Sequence, residues 1–176
     1  MRIVAGTLKG RKLIEFKGKN VRPTSDMTRE AVFNIIQSKI FGATFLDLFA
    51  GSGAMGIEAL SRGALNVTFN DADRESLKII KTNLEKLNLK DVKVTNFDAI
   101  TFLERASETF DFVYLDPPYN TDLGVRALEK VKNVLNSESI VIFEDQEFLS
   151  REIEGLTVYD KRKYGKAHLT FLRRSE

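Results

Sequence analysis

The tetrapeptide Asp116-Pro117-Pro118-Tyr119 is the part of the sequence best suited to chemistry. Proline lacks a backbone N–H and has a fixed φ, so this loop should be stiff and should present two acceptors, the Asp116 carboxylate and the Pro117 carbonyl. An aromatic amine is a weak nucleophile because its lone pair is delocalised into the ring. Two acceptors that hold its hydrogens can turn the lone pair toward an electrophile while Tyr119 stacks on the ring. The motif therefore predicts a site for the amino group of an unpaired or flipped base.

A glycine-rich turn precedes this motif, in Phe45-Leu-Asp-Leu-Phe-Ala-Gly-Ser-Gly-Ala-Met-Gly56. Gly51 and Gly53 allow positive φ and a close approach of a ligand to the backbone. In open α/β sheets, ligands bind outside the carboxyl ends of the strands, where such a turn leads into a helix. Phe49 and Ser52 belong to the same turn, which we interpret as a nucleotide-binding loop.

Acidic residues near the ends of three consecutive predicted strands make this interpretation more specific. Asp47 lies four residues before Gly51, where its carboxylate can bond either the ammonium of an amino acid or the loop backbone. Asp71, followed by Ala72, can accept from ribose hydroxyls. Asp98, followed by Ala99, can accept from an adenine amine, with Phe97 stacking on the purine, or it can cap a helix. We interpret Asp73 as a cap and favour Asp71 for the ribose. The three acids fit the methionine and adenosine parts of S-adenosylmethionine.

The elements that position these residues follow an α/β pattern. A helix is predicted from Thr24 or Ser25 through Ile40, and another over 73–87. Short apolar strands that alternate with helices predict a parallel sheet covered on both faces. Two strands joined near Lys9-Gly10 are predicted at the start of the chain. The predicted sheet strands are 44–49, 65–70, 92–96, 110–115, 139–144 and an antiparallel pair, 156–162 and 167–173.

Composition excludes several classes of protein. The 176 residues contain no cysteine and a single histidine, His168, so disulfides, thiol nucleophiles and cysteine or multi-histidine metal sites are excluded. We expect one soluble, cytoplasmic domain without metal or membrane attachment. Net charge is +2, but residues 1–24 hold seven Lys/Arg against one acid, and residues 156–176 hold six against two. If these basic ends lie on one face, they form a phosphate-binding surface, although basic ends can also serve solubility alone.

The motifs resemble those of a known family. LDLFAGSG and DPPY resemble the cofactor loop and amine-methylation motif of Rossmann-like class I methyltransferases. The segments RIVAGTLKGRKL, RPTSDMTREAVFNI, GIEALSRGA and YGKAHLTFLRR are similar to the RsmD family of bacterial 16S ribosomal RNA guanine-N2 methyltransferases over nearly the whole length. The resemblance implies a seven-stranded mixed sheet of order 3-2-1-4-5-7-6, with the seventh strand antiparallel and helices on both faces. An N-terminal basic β-hairpin over 1–24 would precede a methyltransferase domain over 25–176.

The same resemblance implies roles for individual residues. S-adenosylmethionine would be bound by Asp47, Phe49, Gly51, Ser52, Gly53, Asp71, Ala72, Asp98 and Ala99. Asp116, Pro117, Pro118 and Tyr119 would hold the substrate amine, with guanine 966 of 16S RNA in assembled 30S particles as the expected target of a monomeric enzyme. RNA contacts are expected from Lys9, Arg11, Lys12, Lys17 and Lys19, with Arg22, Thr24 and Arg29 at the entrance, although Arg29 could equally lie on a solvated helix face. We interpret His168 as structural.

Other functions stay open at this point. The same tetrapeptide serves adenine N6, so an adenine-N6 methyltransferase acting on RNA or DNA is an alternative, although a DNA enzyme would need room for target recognition. A nicotinamide-dependent oxidoreductase shares this kind of fold but gives the double proline no role. A non-catalytic RNA-binding module predicts that Asp116 is dispensable.

Overall fold

A computed structural model describes residues 1–17 and 24–176. Within these residues, helices and strands alternate as the sequence predicts. The helices are α1 (Asp26–Ile40), α2 (Ala54–Ser61), α3 (Arg74–Lys86), α4 (Ala99–Arg105) and α5 (Leu123–Lys130), the last followed by a 3₁₀ turn, Val131–Val134. The strands are β1 (Thr44–Asp47), β2 (Asn66–Asn70), β3 (Lys93–Thr95), β4 (Phe110–Leu115), β5 (Leu135–Asp145), β6 (Leu156–Tyr164) and β7 (Ala167–Arg174).

The seven strands within 24–176 form one sheet of order β3-β2-β1-β4-β5-β7-β6. The pairs from β3 to β5 are parallel, and β7 is antiparallel to both of its neighbours. The order and the antiparallel seventh strand implied by the resemblance are therefore confirmed. All of the parallel strands end at one edge of the sheet, which we call the carboxyl edge. The opposite edge is the amino edge.

Helices cover both faces of the sheet, as predicted. The first face packs against α1, α2, α3 and the N-terminal segment, with Phe45, Phe69 and Phe112 among its buried residues. The second face packs against α4 and α5, with Leu46, Val113 and Leu172 buried there. Adjacent strand residues point to opposite faces, so apolar runs such as Phe45-Leu46 are needed to fill both layers.

Side chains cap the N-termini of three helices: Ser25 caps α1, Asp73 caps α3 and Asp98 caps α4. Ser25, rather than Thr24, caps α1 by accepting from the Thr28 N–H at 3.0 Å. Asp73 caps α3 by accepting from the Ser76 N–H at 2.9 Å, as predicted. A cap satisfies a backbone donor that the first turn leaves free, so these residues fix where each helix begins. In particular, Asp73 makes α3 start at the carboxyl edge, just after β2.

The predicted hairpin at the start of the chain is only partly formed. Residues 1–17 contain no regular strand, but an isolated antiparallel bridge pairs Arg2 with Lys12, and backbone bonds from the Ile3 N–H to Arg11 and from the Leu13 N–H to Met1 flank it. Backbone donors of this segment bond to α2 instead: the Val4 and Ala5 N–H groups donate to Glu58, and the Leu8 N–H donates to Ser61 Oγ. Those bonds occupy donors that a second strand would have used. The segment is therefore a loop fastened to the first face of the sheet.

Across residues 1–17 and 24–176, none of the helices combines the length and the apolar character that crossing a bilayer requires.

Candidate active site

A cleft of about 690 Å³ opens at the carboxyl edge of the sheet. Its volume lies within the usual range for small-molecule sites. It brings together most of the residues predicted from the two motifs. The predicted residues that line it are Phe49, Gly51, Asp71, Ala72, Asp98, Ala99, Asp116, Pro117, Pro118 and Tyr119.

The glycine turn is held in shape by Asp71. One carboxylate oxygen of Asp71 accepts from the Gly51 N–H at 2.8 Å, and the other accepts from the Asp73 N–H at 2.9 Å. Burial raises the pKa of Asp71, and these two backbone bonds oppose that effect. Gly51 and Gly53 have φ of 56° and 83°, the left-handed region that the sequence predicts for them. Each carboxylate oxygen can accept a further bond, so Asp71 can fix the loop and still receive a ribose hydroxyl.

Asp47 supports the loop from below and does not line the cleft. Its side chain is buried and accepts from the Gly56 N–H at 3.0 Å. The sequence left two partners open for Asp47, the ammonium of an amino acid and the loop backbone, and in the structure Asp47 bonds the backbone. Burial raises its pKa to about 7, and the Gly56 bond partly opposes that rise. Ser52 and Gly53 also lie outside the lining.

Asp98 combines the two roles that the sequence left open. It caps α4 by accepting from the Thr101 N–H at 2.9 Å, and it also lines the cleft. Its bonds with the Thr101 hydroxyl and N–H lower its pKa. Phe97, by contrast, is not among the lining residues, and its ring packs under the Arg105 guanidinium at 5.7 Å. The stacking predicted for Phe97 is therefore not available in this arrangement.

The tetrapeptide follows β4 directly and forms the other wall. Pro117 is buried, Pro118 is exposed, and Asp116 and Tyr119 are half-buried. Pro117 packs on Gly124 of α5 so closely that a β-carbon there would lie 2.7 Å from its Cγ. The Thr121 hydroxyl donates to the Pro118 carbonyl at 2.9 Å. The loop is thus fixed from both sides, which agrees with the stiffness expected from two prolines.

A buried pair lies beside the tetrapeptide and was not predicted. The Tyr114 hydroxyl donates to the Glu144 carboxylate, and both side chains are buried. Burial, then the charges of Glu144 and Asp116, raise the pKa of Tyr114 well above its ordinary value. The Thr24 side chain lies near Tyr114 and partly opposes this rise in its pKa. Tyr114 and Glu144 are each the second-last residue of a strand and follow an apolar run, and this pattern could have indicated the pair.

Sequence reasoning missed several lining residues. Asn70, at the end of β2, donates to the Leu48 and Phe97 carbonyls at 3.2 and 3.0 Å and so ties three strand ends together. A polar residue that ends an apolar strand could have indicated it. Phe16 reaches the cleft from the N-terminal segment, a placement that no local pattern could indicate. The missed lining residues are Phe16, Leu48, Asn70, Asp73 and Ser76.

The residues predicted to contact RNA are scattered. Arg11 donates to the Lys86 carbonyl and Lys86 donates to the Lys12 carbonyl, at 3.3 and 3.1 Å. Lys86 ends α3 at the amino edge, about 20 Å from the start of that helix beside the cleft. Lys9 is exposed on the same segment, and Lys17 follows Phe16 near the cleft. The hypotheses on Lys19 and Arg22 lie outside the described residues.

The expectation that Arg29 lines the entrance is wrong. Its side chain is 0% exposed and pairs with Glu58 at 3.4 Å and with Asp26 at 2.7 Å. Glu58 is also fully buried and accepts from Arg62 Nε at 3.0 Å. A buried guanidinium is stabilised by a carboxylate partner, and this partner lies far away in the chain. Arg29 therefore joins α1 to α2 and has no surface to offer to RNA.

Comparison with known proteins shows the family of this chain. A protein-family model described as "Conserved hypothetical protein 95" matches residues 1–173. The chain is 36% identical to "Ribosomal RNA small subunit methyltransferase D" of Escherichia coli, over 88% of this chain and 76% of that protein. The chain therefore belongs to the RsmD family. It is also 36% identical to "Putative rRNA methyltransferase YlbH" of Bacillus subtilis, over 94% of each chain.

Solved structures show the same fold. The structure of "Putative methyltransferase yhhF from Escherichia coli" is 29% identical, with a TM-score of 0.89 over 99% of this chain and 97% of that one. A more distant methyltransferase structure, SMU.776, is 16% identical with a TM-score of 0.66 over 82% of this chain and 49% of that one, and it was determined in complex with SAH. The fold of this family member is therefore that of the class I methyltransferases.

Proposed function

We propose that this protein transfers the methyl group of S-adenosylmethionine to the exocyclic N2 of a guanine in 16S ribosomal RNA. One observation carries the proposal: Asp116 and the double proline share a single cleft with the acids at the ends of β2 and β3. The first set can hold an amine and the second an adenosine. The names of the two relatives support ribosomal RNA as the substrate class.

The lining suits S-adenosylmethionine, which supplies a methyl group on a positively charged sulfonium when bound. Asp71 would accept from the ribose, Asp98 would accept from the adenine amine beside Ala99, and Gly51 would let the ligand approach the backbone. The described lining contains four aspartates and no Lys or Arg. Such a negative cleft attracts a cation. The SAH in the SMU.776 structure supports this choice of cofactor.

The same features disfavour a nicotinamide dinucleotide. A pyrophosphate normally bonds to free N–H groups at the loop and the helix start. Here the Gly51 N–H donates to Asp71, the Gly56 N–H donates to Asp47, and the Gly53 N–H donates to the Ala50 carbonyl. A dianionic pyrophosphate would also meet the carboxylates of the lining. The oxidoreductase alternative therefore has little support.

The base half of the cleft works by positioning. Asp116 and the Pro117 carbonyl would accept the two hydrogens of the substrate amine, which directs the nitrogen lone pair at the methyl group. Tyr119 would stack on the base and exclude water. The base must leave its own stack to enter, so an unpaired guanine is the natural substrate. Guanine 966 in an assembled 30S particle is the target that we propose.

The cofactor proposal is tested by calorimetry with the wild-type protein. We expect a heat of binding for S-adenosylmethionine and none for NAD at the same concentration. Binding of NAD alone would exclude the proposal. S-adenosylhomocysteine, which lacks the transferable methyl group, serves as a matched positive ligand and should also bind.

The substrate proposal is tested by offering methyl-labelled S-adenosylmethionine with undermodified 30S particles, free 16S RNA or duplex DNA. Nuclease digestion and mass spectrometry then identify the modified nucleoside. We expect N2-methylguanosine from the particles and no label in DNA. N6-methyladenosine would favour the adenine-N6 alternative, and label in DNA would contradict an RNA substrate.

A further inference from the structure

The described lining of the cleft holds no positive charge that could attract RNA. Asp71, Asp73, Asp98 and Asp116 line it, and no Lys or Arg belongs to its described lining. RNA is a polyanion, and its binding energy depends strongly on phosphate contacts with cations. If RNA is the substrate proposed above, cationic side chains must stand beside the cleft and offset this repulsion.

The turn between β6 and β7 stands at the same edge. Asp145, at the carboxyl end of β5, pairs with His168, and the Tyr164–Ala167 pair closes the hairpin one step beyond. Because β5 neighbours β4, the turn lies two strands away from the tetrapeptide that follows β4. The hairpin therefore projects its turn alongside the cleft.

On the first face of the sheet, contacts connect the turn to the wall of the cleft that the tetrapeptide forms. A β-carbon on Gly165 would lie 3.9 Å from Met27 Cε, so Met27 packs next to the turn. Met27 begins α1 and is 55% exposed. Thr24, three residues earlier, lies near enough to Tyr114 to lower its pKa, and Tyr114 precedes Asp116 by two residues. The turn, Met27 and Thr24 thus form a continuous rim that ends at the wall holding Asp116.

The rim carries two lysines suited to phosphate. Lys163 and Lys166 are exposed, and neither forms an ion pair with any residue in 1–17 or 24–176. Their neighbour Arg162, in contrast, pairs with Asp160 at 3.0 Å. Lys163 lies opposite His168 across the two strands. The two ammonium groups are therefore available to an anion in a way that the paired arginine is not.

The other basic group near the start of the chain is poorly placed for the same task. Arg11 and Lys12 contact Lys86, at the amino-edge end of α3, whereas Asp73 and Ser76 at its other end line the cleft. Asp73 and Lys86 lie about 20 Å apart along α3, so Arg11 and Lys12 contact the end of the helix remote from Asp73.

We propose that the β6–β7 turn, through Lys163 and Lys166, binds the phosphates of single-stranded RNA that flank the base in the cleft. This inference deepens the proposed function and rests on it, because it assigns to the same site the surface that receives the polynucleotide. Met27, which lies beside Gly165, supplies an exposed apolar contact next to the turn.

The test compares two double variants of the full chain. Lys163→Gln with Lys166→Gln removes the proposed contacts, and Lys39→Gln with Lys90→Gln removes two exposed lysines at the amino edge. Fluorescence anisotropy measures binding of a labelled single-stranded RNA of about 20 nucleotides over a series of salt concentrations. The first variant should bind about tenfold more weakly, and its salt slope should fall by about 1.4, or ~0.7 per lost phosphate contact. The second variant should match the wild type.

Methyl transfer to undermodified 30S particles gives an independent measurement. The first variant should show a raised KM with an unchanged kcat, and both variants should bind S-adenosylmethionine like the wild type. Equal effects of the two variants on RNA binding, or an unchanged salt slope in the first, would overturn the inference. If the wild type binds RNA through the turn but methylates no guanine, the proposed function fails while the rim stands. If the wild type methylates guanine but its RNA binding depends on neither lysine, the rim fails while the proposed function stands.

Discussion

The two halves of the cleft use carboxylates in different ways. At the ends of β1, β2 and β3, acids accept from backbone N–H groups: Asp47 from Gly56, Asp71 from Gly51, and Asp98 from Thr101. At the end of β4, Asp116 is followed by two residues that have no N–H at all. The first half therefore uses its acids to shape the loops that would hold a cofactor. The second half obtains its rigidity from proline rings.

Because of this difference, chemically similar residues are expected to fail differently when they are changed. Removing an acid in the first half should distort a loop and weaken ligand binding. In the second half, the same removal should leave the loop intact and abolish chemistry. The following variants test that distinction.

Asp116→Asn should have the largest effect on activity. One of the two acceptors for the substrate amine becomes partly a donor, so methyl transfer to 30S particles should fall about 10³-fold. Binding of S-adenosylmethionine by calorimetry should change less than about threefold, because the cofactor half is untouched. Asp122→Asn, an exposed acid in the loop that follows, is the control and should transfer methyl groups normally. Normal activity in Asp116→Asn would favour a non-catalytic RNA-binding module.

Asp71→Asn should weaken S-adenosylmethionine binding by about 10- to 100-fold, the range for losing hydrogen bonds to a charged group. An amide has one acceptor oxygen, so it cannot serve both the Gly51 and the Asp73 N–H groups. Calorimetry measures the affinity, and Tm reports the accompanying loss of loop order. Asp91→Asn at the amino edge, where the backbone has φ of 61°, should leave both unchanged. Unaltered affinity in Asp71→Asn would remove the ribose role.

Gly124→Ala tests whether the position of the proline wall matters. The added methyl would lie 2.7 Å from Pro117 Cγ and 2.9 Å from the Phe143 ring, so something must move. A displacement near 1 Å can cost about 10²-fold in rate, and we expect a drop of at least about tenfold in kcat with cofactor affinity retained. Gly10→Ala, in open space on the N-terminal segment, controls for a simple glycine replacement although its φ is positive. If kcat stays normal while Tm falls, the wall tolerates movement.

Asp47→Asn should act mainly on stability, because the amide oxygen can still accept from the Gly56 N–H and keep the loop in shape. The pKa of Asp47 is about 7 in the folded protein against an ordinary value of 3.8, so burial penalises the ionised form. The protein therefore loses stability as pH rises from about 4 to about 7, and the penalty stays constant above that range. The free energy of unfolding of Asp47→Asn, measured in urea relative to that of the wild type, should rise by about 3 kcal/mol between pH 5 and pH 8. Asp98→Asn, which replaces an acid of lowered pKa, should show no such gain.

Local pattern predicts most of this fold because the strands are short apolar runs with helices between them. The bounds of β4 at Phe110–Leu115 match the prediction, and Asp73 caps the helix it was expected to cap. The start of β5 was placed at Ser139, but the strand begins at Leu135 directly after a 3₁₀ turn. No glycine or proline marks the boundary between that turn and the strand, so the sequence pattern does not predict where β5 begins.

The candidate site was less predictable where it depends on distant partners. The tetrapeptide and the acids at strand ends carry their own signals, since the ends of parallel strands meet at one edge. Arg29 gave no signal of burial, because its partner Glu58 lies on another helix. Arg11 and Lys12 were grouped with the site by sequence, but their position depends on where the N-terminal segment docks. Such long-range contacts are invisible to periodicity.

The attachment of residues 4 and 5 to Glu58 affects the order of assembly. Their N–H groups find acceptors 54 and 53 residues further along the chain. A ribosome makes these donors long before the carboxylate that receives them, so the beginning of the nascent polypeptide must wait for α2 to emerge. Contacts of this kind slow the closing step of folding.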